Sequence, residues 1–212
     1  MSKTHCLVIR FHYEKDDPRF DWRFSYFKAM VLPRILNQTV KNFDIAIWCN
    51  SCHDELFKSL SPRIKVFHAK VDSVQYKTLK GKKYYYDFVN WEGLEGLEKY
   101  DIQTGLDSDD LIEPNYIEII EMHLFNATIP THLCFQPKTF NLKTLRVKPM
   151  MNYNSKRGSA FFSLYQPDKD RNYKFIYCDS HISMWKYAKR SIVIPAGYCW
   201  ATIHEINEST GR

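Results

Sequence analysis

Asp101-Ile102-Gln103-Thr104-Gly105-Leu106-Asp107-Ser108-Asp109-Asp110-Leu111-Ile112-Glu113-Pro114 runs from a mostly apolar segment straight into a carboxylate-rich cluster. Residues 101–106 read as a strand, which leaves Asp107 to Asp110 at its carboxyl end. Alternate residues of an extended segment point the same way, so Asp107 and Asp109 can face one ligand together. Paired carboxylates are hard oxygen ligands suited to Mg²⁺ or Mn²⁺, ions that keep positions open for water or phosphate. Such a cation, bridging a diphosphate, neutralises the charge that grows as the diphosphate leaves. A second reading is electrostatic support for a following helix, a role that falls to Asp110 above all, since acidic groups are favourable near a helix N-terminus. Pro114 fits the first position of that helix, where a missing N–H costs nothing. Ile117, Ile120 and Leu124 give it an apolar stripe.

Upstream, strands and helices alternate. Residues 6–11 form a short buried strand. Residues 22–38 turn helical, with Phe24, Phe27, Val31 and Ile35 at three- to four-residue spacing and a kink or break at Pro33. A second strand covers 43–49, a helix 51–60 and a third strand 63–69. Residues 70–86 are basic and tyrosine-rich and are expected to form a loop or an exposed helix, followed by a helix over 90–99. Downstream the character changes: 132–140, 144–150, 158–165 and 192–194 look extended, with a helix around 181–189. Alternation followed by a strand-rich half predicts an α/β fold with a mostly parallel central sheet flanked by helices. Ligands of such sheets bind beyond the carboxyl ends of the strands, where the acidic cluster falls. A single domain over 1–212 is expected.

The chain of 212 residues is 44% hydrophobic and 16% aromatic, enough apolar material for a sizeable core. No apolar run approaches the ~18–20 residues that span a bilayer, and the N-terminus lacks a secretory signal pattern. The expected compartment is the cytoplasm, with peripheral membrane association still open. The six cysteines are scattered, and only Cys49 and Cys52 are close. One CxxC without a second pair does not make a structural zinc site, and two reduced thiols are the plainer reading. The net charge of +6 is spread along the chain rather than gathered into one tract. It suits an electropositive cleft for phosphates, and no nucleic-acid partner is expected.

Two stretches resemble the family 2 glycosyltransferases of GT-A (nucleotide-diphospho-sugar transferase) fold. Residues 34–45, Arg-Ile-Leu-Asn-Gln-Thr-Val-Lys-Asn-Phe-Asp-Ile, are similar to that family's SILNQTYKNFEI segment. Residues 101–114 are similar to its strand ending in LDADD and followed by a proline. The opening Val8-Ile9-Arg10-Phe11 and the pair Leu32-Pro33 resemble more specifically the rhamnosyltransferase subgroup. The resemblance covers about residues 6–125 well and implies a nucleotide-sugar-binding half over about 1–112 and an acceptor-side half over about 113–212.

The family pattern implies roles for individual residues. Arg10 would face the nucleotide. Asp107 would contact the ribose or diphosphate and share the metal, with Ser108 beside it on the donor side, and Asp109 would bind the metal. Members often carry an Asp pair after the second strand for the base and ribose; here Cys49-Asn50 stands there, so Asn50 brings hydrogen bonds without charge. His204 is the expected C-terminal metal ligand. Asp179 is the expected general base toward the acceptor hydroxyl, with His181 as the alternative, and a plain helix N-cap is the other reading of Asp179. The implied reaction is metal-dependent, inverting transfer from a nucleotide-diphospho-sugar to a saccharide or other hydroxyl acceptor, with Mn²⁺ or Mg²⁺ as cofactor. Two rivals remain. A sugar-phosphate nucleotidyltransferase would carry a Gly-rich loop after the first strand, and residues 8–20 hold no glycine. A non-catalytic nucleotide- or nucleic-acid-binding module leaves the acidic cluster unexplained.

Overall fold

The computed structural model describes residues 3–11, 17, 19–49, 51–68, 70–79, 82–90, 96–149, 161–167 and 184–203. In chain order the elements are β1 (His5–Phe11), α1 (Phe20–Tyr26), α2 (Leu32–Leu36), β2 (Asp44–Cys49), α3 (Asp54–Lys58), β3 (Ile64–His68), β4 (Lys70–Leu79) and β5 (Lys82–Asn90). They continue with β6 (Ile102–Asp107), β7 (Leu111–Ile112), α4 (Tyr116–Leu124), β8 (Thr131–Phe135), β9 (Lys138–Asn141), β10 (Arg146–Pro149), β11 (Phe162–Tyr165), β12 (Arg190–Ile194) and β13 (Cys199–Ile203).

Seven strands build the main sheet in the order β12-β8-β11-β6-β1-β2-β3. Strands β6, β1, β2 and β3 run parallel. β11 opposes both of its neighbours, and β12 runs parallel to β8. β1 lies near the centre and is buried at every residue except Arg10, which explains its near-continuous apolar run. A smaller sheet, β10-β9-β13-β7, holds the segment that follows the acidic cluster. One apolar cluster joins Leu7, Ile9 and Phe11 to Phe27, Ile35, Ile117, Ile120 and Leu133, so α1, α2 and α4 cover one face. Cys6, Val8, Trp48, Phe162 and Leu164 form a second cluster.

Several expectations need correction. Residues 70–79 and 82–86, expected as a loop or an exposed helix, are strand: β4 and β5 pair antiparallel. Valine and tyrosine favour strands over helices, and that preference prevails. No helix covers 96–99, where the chain turns toward β6, and β5 extends to Asn90. α4 starts at Tyr116 with Asn115 as its N-cap, so Pro114 precedes the helix instead of opening it. Of the helix expected around 181–189, residues 184–187 form a 3₁₀ turn, 188–189 are not helical and 181–183 lie outside the described residues; β13 is a strand the sequence reading did not identify. The irregularity expected at Pro33 sits one turn earlier. Residues Phe27–Val31 form a π-turn, with the Leu32 N–H donating to the Phe27 carbonyl. The proline ring crowds the carbonyl four residues back, and a widened turn relieves it.

Two buried histidines pin the sheet. His5 Nδ1 lies 3.1 Å from Glu121 Oε1 on α4, and its Nε2 lies 2.8 Å from Thr104 Oγ1, which in turn is 2.8 Å from Ser163 Oγ. This chain links β1, β6, β11 and α4. His132 on β8 is fully buried, with Nδ1 3.0 Å from Ser191 Oγ on β12. Burial pushes its pKa down to about 4. A histidine whose folded pKa is depressed stabilises the fold above its unfolded pKa and loses that contribution as pH falls toward the folded value. Acidification from about pH 6.5 to 4 is therefore expected to cost roughly 3 kcal/mol through His132. Urea midpoints measured over that range should fall in the wild type and fall less in His132→Gln; parallel curves would remove His132 as the cause.

Candidate functional site

The strand order places a switch point between β1 and β6. From β1 the chain builds outward through β2 and β3, then returns to β6 on the other side of β1. Crossovers leave in opposite directions there, opening a crevice at the carboxyl ends. Arg10 and Asp107 are register partners across that boundary. Arg10 Nη2 lies 3.6 Å from Asp107 Oδ1, and the two side chains are 46% and 32% exposed. The one exposed residue of β1 thus meets the partly exposed end of β6.

Beyond Asp107 the chain turns. The Asp110 N–H donates to the Asp107 carbonyl at 3.1 Å, closing a turn over Ser108 and Asp109. Alternation along an extended strand is thus not what arranges the two acids. Asp107 stays partly exposed, and Asp109 packs inward against α1. There Asp109 Oδ2 forms an ion pair with Arg23 Nη1; the two side chains are only 10% and 7% exposed. A buried guanidinium and a buried carboxylate each need the other, because a lone charge in that environment is costly.

Asp110 has a different task from the helix support expected of it. Its Oδ1 accepts the Thr202 N–H of β13 at 3.0 Å. Burial, then the neighbouring Asp109 and Asp107 charges, push its carboxyl well above the usual range. Tyr26 on α1 completes the joint, with its hydroxyl 3.4 Å from Thr202 Oγ1. The acidic turn is therefore gripped by α1 through Arg23 and by β13 through Thr202.

Sequence reasoning also missed Gln38. This fully buried side chain donates to the carbonyls of Arg34 at 3.0 Å and Glu113 at 2.7 Å. Its Oε1 accepts the Ile117 N–H of the first turn of α4 at 2.9 Å. Next to it, the Thr39 N–H donates to the Pro114 carbonyl at 2.7 Å. The Asn37-Gln38-Thr39 segment thus fastens the backbone that follows the acidic turn, and its position inside a family-like stretch was the available signal.

Asn50, Asp179, His181 and His204 lie outside the described residues; β13 ends at Ile203, immediately before His204. Near Asn50, burial pushes the Cys49 thiol up to about 12, so it stays an unreactive thiol. Trp200 is partly buried, Trp185 is exposed, and Trp91 lies outside the described residues. A separate cavity of about 240 Å³ is lined by Thr139, Asn141, Thr144, Arg146, Lys148 and Ile203 on the small sheet. Among the described residues no three His, Cys, Asp or Glu side chains converge on one metal position. Asp107 and Asp109 supply two oxygen donors, which suits a cation that fills its remaining positions with phosphate and water. Arg23 occupies one oxygen of Asp109, as a hydrogen-bonding partner of a ligating carboxylate can.

Comparison with known structures supports the fold. The chain aligns with S. aureus TarS residues 1–349, solved in complex with UDP-GlcNAc, at TM-score 0.57 and 12% identity, covering 99% of this chain and 61% of that one. It aligns with the mannosyltransferase PcManGT of Pyrobaculum calidifontis, solved with GDP-Man and Mn²⁺, at TM-score 0.54 and 10% identity, covering 99% and 60%. The chain thus spans about three fifths of each of these structures, and the shared architecture is the GT-A fold. No curated protein matches it. Residues 4–211 match the family model described as "Putative rhamnosyl transferase". With nearly its whole length matched, the chain belongs to this rhamnosyl transferase family of glycosyltransferases.

Proposed function

We propose that this protein transfers a glycosyl group from a nucleotide-diphospho-sugar to an acceptor hydroxyl, with inversion and with help from Mn²⁺ or Mg²⁺. The observation that carries the reading is the Arg10–Asp107 pair at the switch point, continued by a turn that sets Asp109 against Arg23. UDP-GlcNAc in TarS, and GDP-Man with Mn²⁺ in PcManGT, support a donor of this class on this fold. Arg10 offers a permanent positive charge to the donor phosphates. Asp107 and Ser108 meet the ribose and diphosphate side of the donor. Asp107, Asp109 and His204 hold the cation, and Asn50 hydrogen-bonds the base or ribose. Asp179, with His181 as the alternative, takes the proton from the acceptor hydroxyl as it attacks the anomeric carbon. When bound, the cation supplies charge neutralisation for the departing diphosphate.

No described helix is long and apolar enough to cross a membrane. The proposed setting is the cytoplasm, with a saccharide or other hydroxyl acceptor. Calorimetry with UDP, GDP and dTDP, each with and without Mn²⁺, tests the reading. At least one is expected to bind, more tightly with the metal. If none binds in the presence of Mn²⁺, the transferase reading falls.

A further inference from the structure

Two arginines of different character border the acidic turn. Arg10 is nearly half exposed and 3.6 Å from Asp107, so it can swing toward an incoming anion. Arg23 is buried and already committed to Asp109. Any cation that uses Asp109 must share that carboxylate with a fixed guanidinium. At a separation on the order of 6 Å, a divalent ion and a unit positive charge repel enough to weaken binding about tenfold, even at the dielectric of bulk water. In a less hydrated crevice the effect is larger. A diphosphate reverses the sign, since its negative charges are attracted to Arg23 and to the cation together.

We propose that Arg23 is a positioning residue that makes cation capture at Asp109 conditional on the donor diphosphate. The inference rests on the cation role given to Asp109 above. Arg23 holds Asp109 in place on α1 and keeps the empty turn charge-balanced, so that the metal alone is a poor ligand. Linkage requires the reciprocal effect: whatever the diphosphate adds to metal affinity, the metal adds to diphosphate affinity.

The test is Mn²⁺ titration by calorimetry, alone and in the presence of whichever of UDP, GDP or dTDP binds. Wild type is expected to hold Mn²⁺ at least about tenfold more weakly alone than with nucleotide. Arg23→Gln is expected to tighten binding of Mn²⁺ alone by about tenfold and to shrink the gain from nucleotide. Arg23→Lys, which keeps the charge, should bind Mn²⁺ alone as weakly as wild type. A purely structural role would give the opposite sign, because damage to the turn weakens metal binding. If Arg23→Gln does not fold, the wild-type comparison and Arg23→Lys carry the test. Equal Mn²⁺ affinity in wild type with and without nucleotide overturns the proposal, as does unchanged or weaker binding of Mn²⁺ alone in folded Arg23→Gln. Mn²⁺ binding that Asp109→Asn leaves untouched would instead overturn the assignment of Asp109 itself.

Discussion

Asp109→Asn is expected to lower Mn²⁺-dependent nucleotide binding and sugar transfer by about a hundredfold or more while leaving the fold standing. Removing one preorganised group aimed at developing charge costs on the order of 10²–10³ in rate at well-studied sites. A neutral amide is also a poor ligand for a hard divalent cation. The amide can still accept a hydrogen bond from Arg23, so the guanidinium keeps a partner inside the protein. Asp109→Ala should behave differently. It removes the carboxylate that Arg23 pairs with in a place where that side chain is 7% exposed, and breaking such a pair typically costs about 3–5 kcal/mol. The comparison therefore has two readouts: calorimetric binding of nucleotide with Mn²⁺, and the urea midpoint. Asn should lose the first and largely keep the second, whereas Ala should lose both. Nucleotide binding that survives Asp109→Asn unchanged would remove Asp109 from the site.

What could be read from the chain alone follows the range of the interactions. β1, β2 and β6 are short apolar runs whose periodicity is local, and their parallel pairing follows from the intervening helical segments. The acidic cluster was legible because it falls at a strand end, while Arg10 was named through the family resemblance and stands at the one exposed position of β1. The Arg23–Asp109 pair was not legible. Arg23 sits among Trp22 and Phe24 in an amphipathic stretch, and nothing local separates a buried arginine from a solvated one. Asp110 was assigned to the following helix because that helix is its neighbour in sequence; its real partner, Thr202, comes from a strand that the reading did not identify. Residues 70–86 were misjudged for a different reason. Their lysines and tyrosines show no clean alternation, so periodicity was silent and the strand preference of tyrosine was given too little weight.

Gln38→Met is expected to destabilise the protein by about 3 kcal/mol and to weaken nucleotide binding with it. Methionine fills a similar volume, so the core around Gln38 stays packed and the loss isolates the hydrogen bonds. Three hydrogen bonds are lost, those to the carbonyls of Arg34 and Glu113 and that from the Ile117 N–H, although the Glu113 carbonyl keeps the Tyr116 N–H at 3.1 Å. Each buried group left unsatisfied costs about 1–3 kcal/mol, partly recovered where water can enter. For a chain of this size, about 3 kcal/mol corresponds to a fall in Tm of roughly 6–12 °C. The effect on binding follows from position. Glu113 lies three residues beyond Asp110, and its carbonyl accepts from Gln38 just past α2, while the Thr39 N–H holds the Pro114 carbonyl beside it. Releasing that anchor lets the backbone after the acidic turn shift, and a carboxylate displaced by a fraction of an ångström no longer meets its ligand with the required geometry. Thermal melts and calorimetry on the same variant separate the two consequences. A large drop in Tm with nucleotide affinity intact below the melt would confine Gln38 to stability. Loss of both would tie the Asn37-Gln38-Thr39 segment to the acidic turn it fastens. An unchanged Tm would mean that water replaces all three hydrogen bonds and that Gln38 is not the anchor its contacts describe.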